Sequence, residues 1–467
     1  MTTPSPTPRR PRLGVLGLVL DAYEPLFPGI TLRQEQFLRG VLDEHSDAAD
    51  FVFPAVATTR AEVEHTMSSF VEDGVDGVVL VLLTYAPAQN VLRAAIDCGL
   101  PLALVLIQPE ETVRGDVVEL DLTVNQAIHG TQDVASTLHR GGVRVQHFAG
   151  SRTDGRLAAF LADFGAACAA TADARTMRIG AIGALPGMGD IVLDPLSLFR
   201  RIGPQVVYEP VAEVFQRVLA VSEDDVAARV AWDRQHFEVD PALSRAEHAY
   251  AVRLYLGIRR WLEDNSFAGY TAHYGDFGAD GRFEQLPLLA ASHLMADGYG
   301  YAAEGDVIAA TLVTILGRLT GESNFTEMYM FDLERDAILF AHAGEGNWRT
   351  SAGRPRLIHR VLTEGGLGDP PTPIFTPRAG TATIASLVQL DSDRYRLVSG
   401  TGRILEEVEL PGCDMPSFFW APDRGAAALA EDWMRAAGAH HQAVVLGDHR
   451  SRLDLWCAIN DVEHIAL

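Results

Sequence analysis

The chain has 467 residues, of which 48% are hydrophobic, and it carries a formal net charge of −24. A chain of this length and apolar content can form two or three domains with buried cores. The excess of negative charge argues against nucleic acid and anionic membranes as partners, because both repel an acidic surface. The four cysteines, Cys98, Cys168, Cys413 and Cys457, form no metal or redox motif, which is typical of a reduced, cytoplasmic protein.

The N-terminal segment MTTPSPTPRRPR, residues 1–12, is polar and rich in proline, so we predict a disordered tail. The apolar run that follows ends at Asp21 without a cleavage pattern, and it predicts a first β-strand rather than a signal peptide. We expect no segment of the chain to be long and apolar enough to span a membrane.

Strands and helices then alternate through residues 13–173 and 174–322, as in the consecutive stretches GVDGVVLVLLTY, PAQNVLRAAIDCG and GLPLALVLIQ. Residues 323–467 are rich in short strands, and a last helix precedes a pair of histidines. The predicted fold class is therefore α/β, with two doubly wound (Rossmann-like) domains followed by a β-rich C-terminal domain.

The apolar run from Val307 to Leu319 predicts a buried helix, and Glu304 and Asp306 stand immediately before it. The helix dipole and the free amides of the first turn favour the ionised form of a carboxylate at this position. Such a residue can be a metal ligand, or it can simply cap the helix.

The segment FTEMYMFDLERDAILFAHAGEGNW predicts two strands around a polar turn at residues 333–336. A turn symmetric about Glu334 and Arg335 places Glu327 directly opposite His342. The predicted neighbours on the same face are apolar: Phe325, Tyr329, Phe331, Ile338 and Phe340. A buried carboxylate needs a partner, which is either a metal ion or the histidine itself.

The segment GAHHQAVVL places His440 and His441 at the start of a β-branched strand. Because successive strand residues point to opposite faces, only one of the two can point straight at a given metal from regular strand. The other can contact substrate or support the ligands from outside. Glu304, Glu327, His342 and His441 together supply two carboxylates and two imidazoles, a set that suits manganese, cobalt or magnesium better than a closed structural zinc site.

The chain resembles the L-arabinose isomerase family, within the wider group that includes the L-fucose isomerases. The resemblance rests on FAGYTAHYGDFG, FEQLPLLAASHLMADGYGYAAEGD, SNFTEMY, LFAHAG and AGAHH, which stand in the family order, with PGITLRQ and DLTVNQAIHG upstream. It implies a metal-dependent aldose-ketose isomerase that acts on a pentose or (deoxy)hexose such as L-arabinose through a 1,2-enediol. It also implies a homo-hexamer or homo-tetramer with shared active sites.

By this resemblance, Glu304, Glu327, His342 and His441 hold a manganese-type ion. Glu304 and Glu327 match the family's paired glutamates and are the predicted proton-transfer residues, with Asp306 as a further catalytic candidate.

Gln126 and His129 match family residues that reach the site from a neighbouring subunit, and they can equally be polar groups at a helix start. His440, Tyr329 and Tyr85 complete the predicted substrate-binding set. The chain departs from the family in DAYEPLFPG and LLTYAPAQ, at Met328, and in the run that follows His342. These departures lie in the expected sugar pocket, so the resemblance implies the chemistry rather than one particular sugar.

Two other functions stay open. A metal-dependent epimerase or aldolase on a related sugar would use the same enediolate chemistry, because pocket shape rather than metal ligation separates these reactions. A non-catalytic sugar-binding protein would suit the strands of the first half, but it needs no set of two glutamates and two histidines.

Overall fold

The computed structural model describes residues 8–362, 366–406 and 410–467. They form two compact units: an N-terminal unit, Arg9–Ala172 with Ser451–Asn460, and a C-terminal unit, Asp173–Arg450 with Asp461–Leu467. Of the predicted disordered tail, residues 1–7 lie outside the described residues. The predicted tail, residues 1–12, is too long, because Arg9 already forms an ion pair with Asp76 (2.6 Å) and the first strand begins at Arg12.

The N-terminal unit contains a parallel sheet of five strands in the order β2-β1-β3-β4-β5. The strands are β1 (Arg12–Leu18), β2 (Asp50–Val52), β3 (Gly77–Leu82), β4 (Leu102–Leu106) and β5 (Val145–Ala149). All six residues of β3 are buried, as expected of a central parallel strand that is covered on both faces. The order is that of a doubly wound sheet, as predicted.

Six helices accompany these strands: α1 (Ile30–Glu44), α2 (Arg60–Glu72), α3 (Gln89–Asp97), α4 (Glu119–Asn125), α5 (Ala127–Arg140) and α6 (Arg156–Thr176). A 3-10 turn, Asp21–Tyr23, follows β1. The start of α2 shows how sequence fixes a boundary: the Thr59 side chain accepts from the backbone N–H of Glu62, whose carboxylate accepts from the N–H of Thr59.

The helix α6 corrects the expectation that no segment is long and apolar enough to span a membrane. Its 21 residues meet the length and hydropathy required for a span, and 56% of its most apolar window is buried in the protein. The core helix of a soluble protein meets the same criteria.

The C-terminal unit opens with a second parallel sheet, in the order β10-β9-β6-β7. Its strands are β6 (Arg178–Ile182), β7 (Gln205–Tyr208), β9 (Gly269–Ala272) and β10 (Gly300–Ala303). The helices of this part are α7 (Pro195–Arg201), α8 (Val211–Leu219), α9 (Glu223–His236), α10 (Arg245–Asn265), α11 (Tyr274–Asp280), α12 (Leu288–Asp297) and α13 (Val307–Thr320). The predicted buried helix from Val307 is α13, whose C-cap is Gly321, a residue with a φ of 95°.

The rest of the C-terminal unit is dominated by an antiparallel sheet in the order β15-β18-β11-β12-β17-β16, which closes on itself because β15 also pairs with β16. Its strands are β11 (Asn324–Asp332), β12 (Ala337–Ala341), β15 (Gly380–Gln389), β16 (Tyr395–Ile404), β17 (Ser417–Pro422) and β18 (His441–Leu446), and β19 (Glu463–Ala466) runs parallel to β16. A small separate sheet joins β8 (Glu238–Val239), β13 (Arg356–His359) and β14 (Pro371–Ile374). The predicted fold class, two doubly wound parts followed by a β-rich part, is confirmed.

Among the described residues after β11, the α-helices are α14 (Ala426–Arg435) and α15 (Arg450–Asn460), and Trp348–Thr350 forms a 3-10 turn. The helix before the histidine pair, α14, was predicted as the last, but α15 follows it. Most of α15 belongs to the N-terminal unit, where Arg452 pairs with Asp163 (2.8 Å) and Asn460 bonds Thr171 (2.8 Å).

The predicted register of the β11–β12 hairpin is wrong at its base. Phe331 pairs with Ile338 as a symmetric turn requires, but a β-bulge at Tyr329 shifts the register by one residue, so that Glu327 pairs with Ala341. The predicted apolar surroundings are also only half correct: Phe325, Ile338 and Phe340 are buried, whereas Tyr329 is 44% exposed and Phe331 is 51% exposed.

Candidate active site

Glu304 occupies a strained backbone position at the carboxyl end of β10. Its φ is 65°, a conformation that residues other than glycine rarely adopt. Hydrogen bonds hold it there, because its N–H donates to Ala272 O (2.9 Å) and its carbonyl accepts from the N–H of Leu185 (2.8 Å). The next residue must be glycine, since a Cβ on Gly305 would collide with the backbone of Ala184. Asp336 and Asp461 also have a positive φ, and Glu304 differs from them in that its carboxylate lies beside the buried ring of His441.

Asp306 does two things at once. Its Oδ1 atom accepts a hydrogen bond from the N–H of Ala309 (2.8 Å) and so caps α13, as one of the two sequence-based interpretations proposed. Its Oδ2 atom accepts a hydrogen bond from Nδ1 of His441 (2.8 Å). The helix start thereby fixes the orientation of a histidine that lies 135 residues further along the chain.

Glu327 and His441 are direct cross-strand partners on β11 and β18. The Nε2 atom of His441 lies 3.1 Å from Oε1 of Glu327 and 3.5 Å from Oε2 of Glu304. Neither contact has hydrogen-bond geometry, so Nε2 of His441 and Oε2 of Glu304 are buried without a hydrogen-bond partner. An imidazole nitrogen and a carboxylate oxygen can each offer a lone pair, so two such buried atoms that face the same space fit a bound cation.

His342 follows the end of β12, with Nε2 3.8 Å from Oε1 of Glu327. Its Nδ1 atom lies 3.0 Å from Oε2 of Glu345, and the buried Tyr301 hydroxyl donates to Oε1 of the same carboxylate (2.7 Å). The ring of Phe325 packs edge-on against both His342 and His441. Sequence reasoning missed this role of Glu345, although its position three residues after His342 in an otherwise small, polar loop was a usable signal.

His440 precedes the first residue of β18, so the alternation of strand side chains does not apply to it, and both histidines of the pair reach the same place. Its Nε2 atom lies 3.7 Å from Oε1 of Glu327, and its ring lies against that of His441, with the centroids 4.0 Å apart and the planes tilted by 40°. Glu304, Glu327, His440 and His441 each offer a ligand atom within 4.8 Å of the others. The Nδ1 atom of His440 contacts Asp190 (2.6 Å), a loop residue that no sequence signal marked.

We call Glu304, Glu327, His342, His440 and His441 the Glu-His centre. Its three imidazoles have a similar arrangement, with Nδ1 against a carboxylate and Nε2 within 3.8 Å of Glu327. The Nδ1 contact is a hydrogen bond in His440 and His441, but it lacks hydrogen-bond geometry in His342. A proton on Nδ1 leaves the Nε2 lone pair of a neutral ring free, and a carboxylate behind the ring is the usual support of a metal-binding histidine. The residues therefore fit a divalent cation.

The charges of the Glu-His centre are unbalanced. Five carboxylates, those of Asp190, Glu304, Asp306, Glu327 and Glu345, face three imidazoles, and no arginine pairs with them in the described part of the chain. The sequence contains no lysine. The contact with His441 lowers the pKa of Glu304. Burial would lower the pKa of His441, but Asp306 and the two glutamates raise it to about 11. An environment this negative favours a bound cation, which would displace the protons of the imidazoles.

The remaining predicted residues are Tyr329, Gln126, His129 and Tyr85. Tyr329 forms the β-bulge, and partial burial together with Glu327 raises its pKa to about 12. Gln126, His129 and Tyr85 belong to the N-terminal unit: the Gln126 amide donates to the Tyr23 hydroxyl (2.9 Å), His129 is exposed on α5, and Tyr85 follows β3.

A strained glutamate at the carboxyl end of a parallel sheet, facing glutamate and histidine from a closed β-sheet, defines this protein as an α/β enzyme with a carboxylate-imidazole centre. Comparison with known proteins identifies the family. Residues 195–322 match the L-arabinose isomerase central domain, and residues 322–463 match the L-arabinose isomerase C-terminal domain, together more than half of the chain. The chain belongs to the L-arabinose isomerase family, and so to the isomerases.

Among similar proteins, the L-arabinose isomerase of Acidothermus cellulolyticus is 29% identical, over 88% of this chain and 84% of its own. That of Clostridium beijerinckii is 27% identical, over 89% and 86%. A solved periplasmic solute-binding protein of an ABC transporter from Actinobacillus succinogenes, with bound D-allose, aligns with 67% of this chain and 92% of its own at 11% identity. Its TM-score of 0.18 is too low to indicate a shared fold.

Proposed function

We propose that this protein is a metal-dependent aldose-ketose isomerase that converts a pentose or (deoxy)hexose such as L-arabinose through a 1,2-enediol. Family membership supports isomerisation of a sugar. The observation that carries the metal dependence is the arrangement of His342 and His441, each with Nδ1 against a carboxylate and each with Nε2 directed at Glu327.

We propose Glu304, Glu327, His342 and His441 as the ligands of a divalent cation. Mixed carboxylate and imidazole donors suit Mn²⁺, with Co²⁺ or Mg²⁺ as substitutes, better than a structural zinc. When bound, the cation supplies Lewis acidity that polarises sugar oxygens.

The proton transfer falls to Glu304 and Glu327. The C2 proton of an aldose is weakly acidic, so a correctly placed carboxylate must remove it. As that proton leaves, the carbonyl oxygen on C1 takes up a proton and the enediol forms. The protonated carboxylate then returns a proton to C1, the hydroxyl on C2 loses its proton, and the ketose results. The lowered pKa of Glu304 keeps its carboxylate in the ionised form that a base requires. Asp306 supports the reaction by orienting His441.

The sugar itself is proposed to contact His440, Tyr329, Tyr85, Gln126 and His129. The last three lie in the N-terminal unit, and the family resemblance favours their use in a homo-hexamer or homo-tetramer with shared active sites. We further propose a cytoplasmic location and no nucleic-acid or membrane partner. Among the alternatives, an aldolase that forms a Schiff base is excluded because the chain has no lysine. An epimerase or a metal-dependent aldolase would use the same centre.

The test is ketose formation by purified protein, after chelation and with or without added Mn²⁺, across pentoses, hexoses and 6-deoxyhexoses. We expect conversion of at least one sugar that depends on the metal. Binding of Mn²⁺ without conversion of any sugar would contradict the isomerase and leave only the metal site.

A further inference from the structure

Asp190 is the least expected residue at the Glu-His centre, because it lies 250 residues from the histidine that it contacts. A single carboxylate oxygen, Oδ2, accepts from the backbone N–H of His440 (3.0 Å) and from its ring Nδ1 (2.6 Å). Since an ionised carboxylate can only accept, the ring nitrogen that faces it carries the proton. The main chain and the ring of His440 are thus held by the same atom.

The loop that carries Asp190, residues 183–194, is itself fixed at both ends. Near its start, the N–H of Leu185 donates to the carbonyl of Glu304 (2.8 Å). At its end, the N–H of Asp194 donates to the Gln389 side chain (2.8 Å), and the Asp194 carboxylate caps α7 through the N–H of Leu196 (2.9 Å). The position of Asp190 is therefore set by the backbone of the centre and by β15.

The free Nε2 atom of His440 faces the centre, 3.7 Å from Oε1 of Glu327, while its ring rests on that of His441. Unlike His441, which is fully buried, the side chain of His440 is 40% exposed. A half-exposed acceptor beside a proton-transfer glutamate is placed to meet a ligand that enters from solvent.

We propose that Asp190 is a positioning residue for substrate: it holds His440 with Nε2 presented as an acceptor for a hydroxyl group of a polyol chain. This inference rests on the proposed isomerase function, because it assumes that a hydroxylated substrate lies beside Glu327. It assigns to the 183–194 loop a part in substrate binding, and it gives His440, which also offers a ligand atom within 4.8 Å of Glu304, Glu327 and His441, to the substrate rather than to the cation.

The test is a double-mutant cycle with Asp190→Ala, His440→Ala and the double variant. Binding of L-arabinitol, an open-chain polyol that cannot react, is measured by calorimetry on the Mn²⁺-loaded protein, and Mn²⁺ affinity is measured separately by electron paramagnetic resonance. Each single variant is expected to weaken polyol binding about tenfold. The double variant should be no weaker than His440→Ala alone, and Mn²⁺ affinity should change less than about twofold.

Two further variants sharpen the result. Val192→Ala truncates an exposed side chain of the same loop that takes no part in holding Asp190, and it should leave polyol affinity unchanged. Asp190→Asn keeps an oxygen that can accept from Nδ1, so it should restore most of the affinity. In the isomerase assay, Asp190→Ala should raise KM and change kcat little.

Additive effects of the two Ala substitutions, a parallel loss of Mn²⁺ affinity, or no measurable polyol binding by the unmodified protein would overturn the proposal. These outcomes are separable from failure of the proposed function. If the unmodified protein makes ketose but Asp190→Ala behaves identically, only this inference fails. If no sugar is isomerised while the cycle shows coupling, the isomerase assignment fails and the role of Asp190 in polyol binding stands.

Discussion

Two buried groups of histidine and carboxylate lie in the C-terminal unit, and they differ in how their charges are matched. One is the Glu-His centre. The other, which we call the Asp233 cluster, consists of Asp233 and Arg229 on α9, His248 on α10 and His293 on α12. Asp233, His248 and His293 are at most 1% exposed, so the Asp233 cluster is at least as buried as the Glu-His centre.

The charges of the Asp233 cluster cancel one another. The Asp233 carboxylate contacts Arg229 (3.1 Å), His248 (2.9 Å) and His293 (3.2 Å). The indole N–H of Trp348 (3.2 Å) and the Arg229 guanidinium (2.7 Å) both donate to Nδ1 of His293, which fixes that ring as neutral. The guanidinium is also held over the rings of Trp232 and Tyr255. One carboxylate, one guanidinium and two imidazoles leave no excess charge.

The comparison shows that burying a histidine beside a carboxylate is not enough to create a metal-binding site. The Asp233 cluster surrounds one acidic group with donors and aromatic rings, which ties three helices together. The Glu-His centre gathers five carboxylates around three imidazoles, whereas buried atoms without a hydrogen-bond partner occur in both groups. The excess negative charge of the Glu-His centre favours a ligand of positive charge.

The largest effect is expected from Glu327→Gln, which removes one charge from the Glu-His centre without changing the side-chain volume. Turnover should fall at least about a thousandfold, because the variant loses both a proposed ligand and a proposed proton carrier. Ketose formation and Mn²⁺ titration measure the loss, and circular dichroism checks the fold. Glu334→Gln, in the exposed turn of the same hairpin, is the matched control, and full turnover by Glu327→Gln would refute the site.

Asp233→Asn should have the opposite signature, a loss of stability without loss of metal binding. The substitution leaves Arg229 without its buried counterion, which costs about 3–5 kcal/mol. Urea unfolding followed by tryptophan fluorescence measures the change, and Mn²⁺ titration of the folded variant should match that of the unmodified protein. Asp224→Asn, on the exposed side of α9, is the control. If Asp233→Asn lost affinity for Mn²⁺ while its stability was unchanged, the Asp233 cluster would be the metal site and the Glu-His centre would not.

Added metal should stabilise the protein through the Glu-His centre alone. At a free Mn²⁺ concentration about 100 times the Kd, the free energy of unfolding should rise by about 2.7 kcal/mol. The same increment is expected in Asp233→Asn, because its Glu-His centre is intact, and none is expected in Glu327→Gln. Urea unfolding with and without Mn²⁺ tests this, and equal stabilisation of all three proteins would place the metal elsewhere.

The smallest effect concerns pH. Burial lowers the pKa of His293. Below about pH 6.5 this histidine therefore binds a proton in the unfolded chain, whereas it stays neutral in the folded protein. The neutral ring contributes to the free energy of unfolding in full above the pKa of the unfolded histidine. This contribution is lost as the pH falls, with a slope of at most about 1.4 kcal/mol per pH unit. Burial would raise the pKa of Asp233, but His293, His248 and Arg229 hold it well below its usual range, which adds a loss of the same sign below about pH 4.

Urea midpoints between pH 8 and pH 5 measure this loss, and His293→Gln should flatten it. If the unmodified protein and His293→Gln showed the same dependence on pH, the neutral state assigned to His293 would be wrong.

Several features were readable in the sequence because they depend on neighbours in the chain. The apolar run after Asp306 predicted α13, and the alternation of strands and helices predicted both parallel sheets. The polar turn at residues 333–336 was placed correctly. The pairing of Glu327 with His342 was not, because a one-residue bulge at Tyr329 is invisible to a pattern that counts residues.

By itself the sequence determined the fold class, the family and the residue types available for chemistry, since these follow from local periodicity and from segments in a fixed order. Only the tertiary structure decided which side chains share one space. The pairing of β11 with β18 sets Glu327 against His441, the strained turn aims Glu304, and a loop 250 residues away brings Asp190 to His440. Such contacts depend on how distant segments close around a common core, and no local spacing encodes that closure.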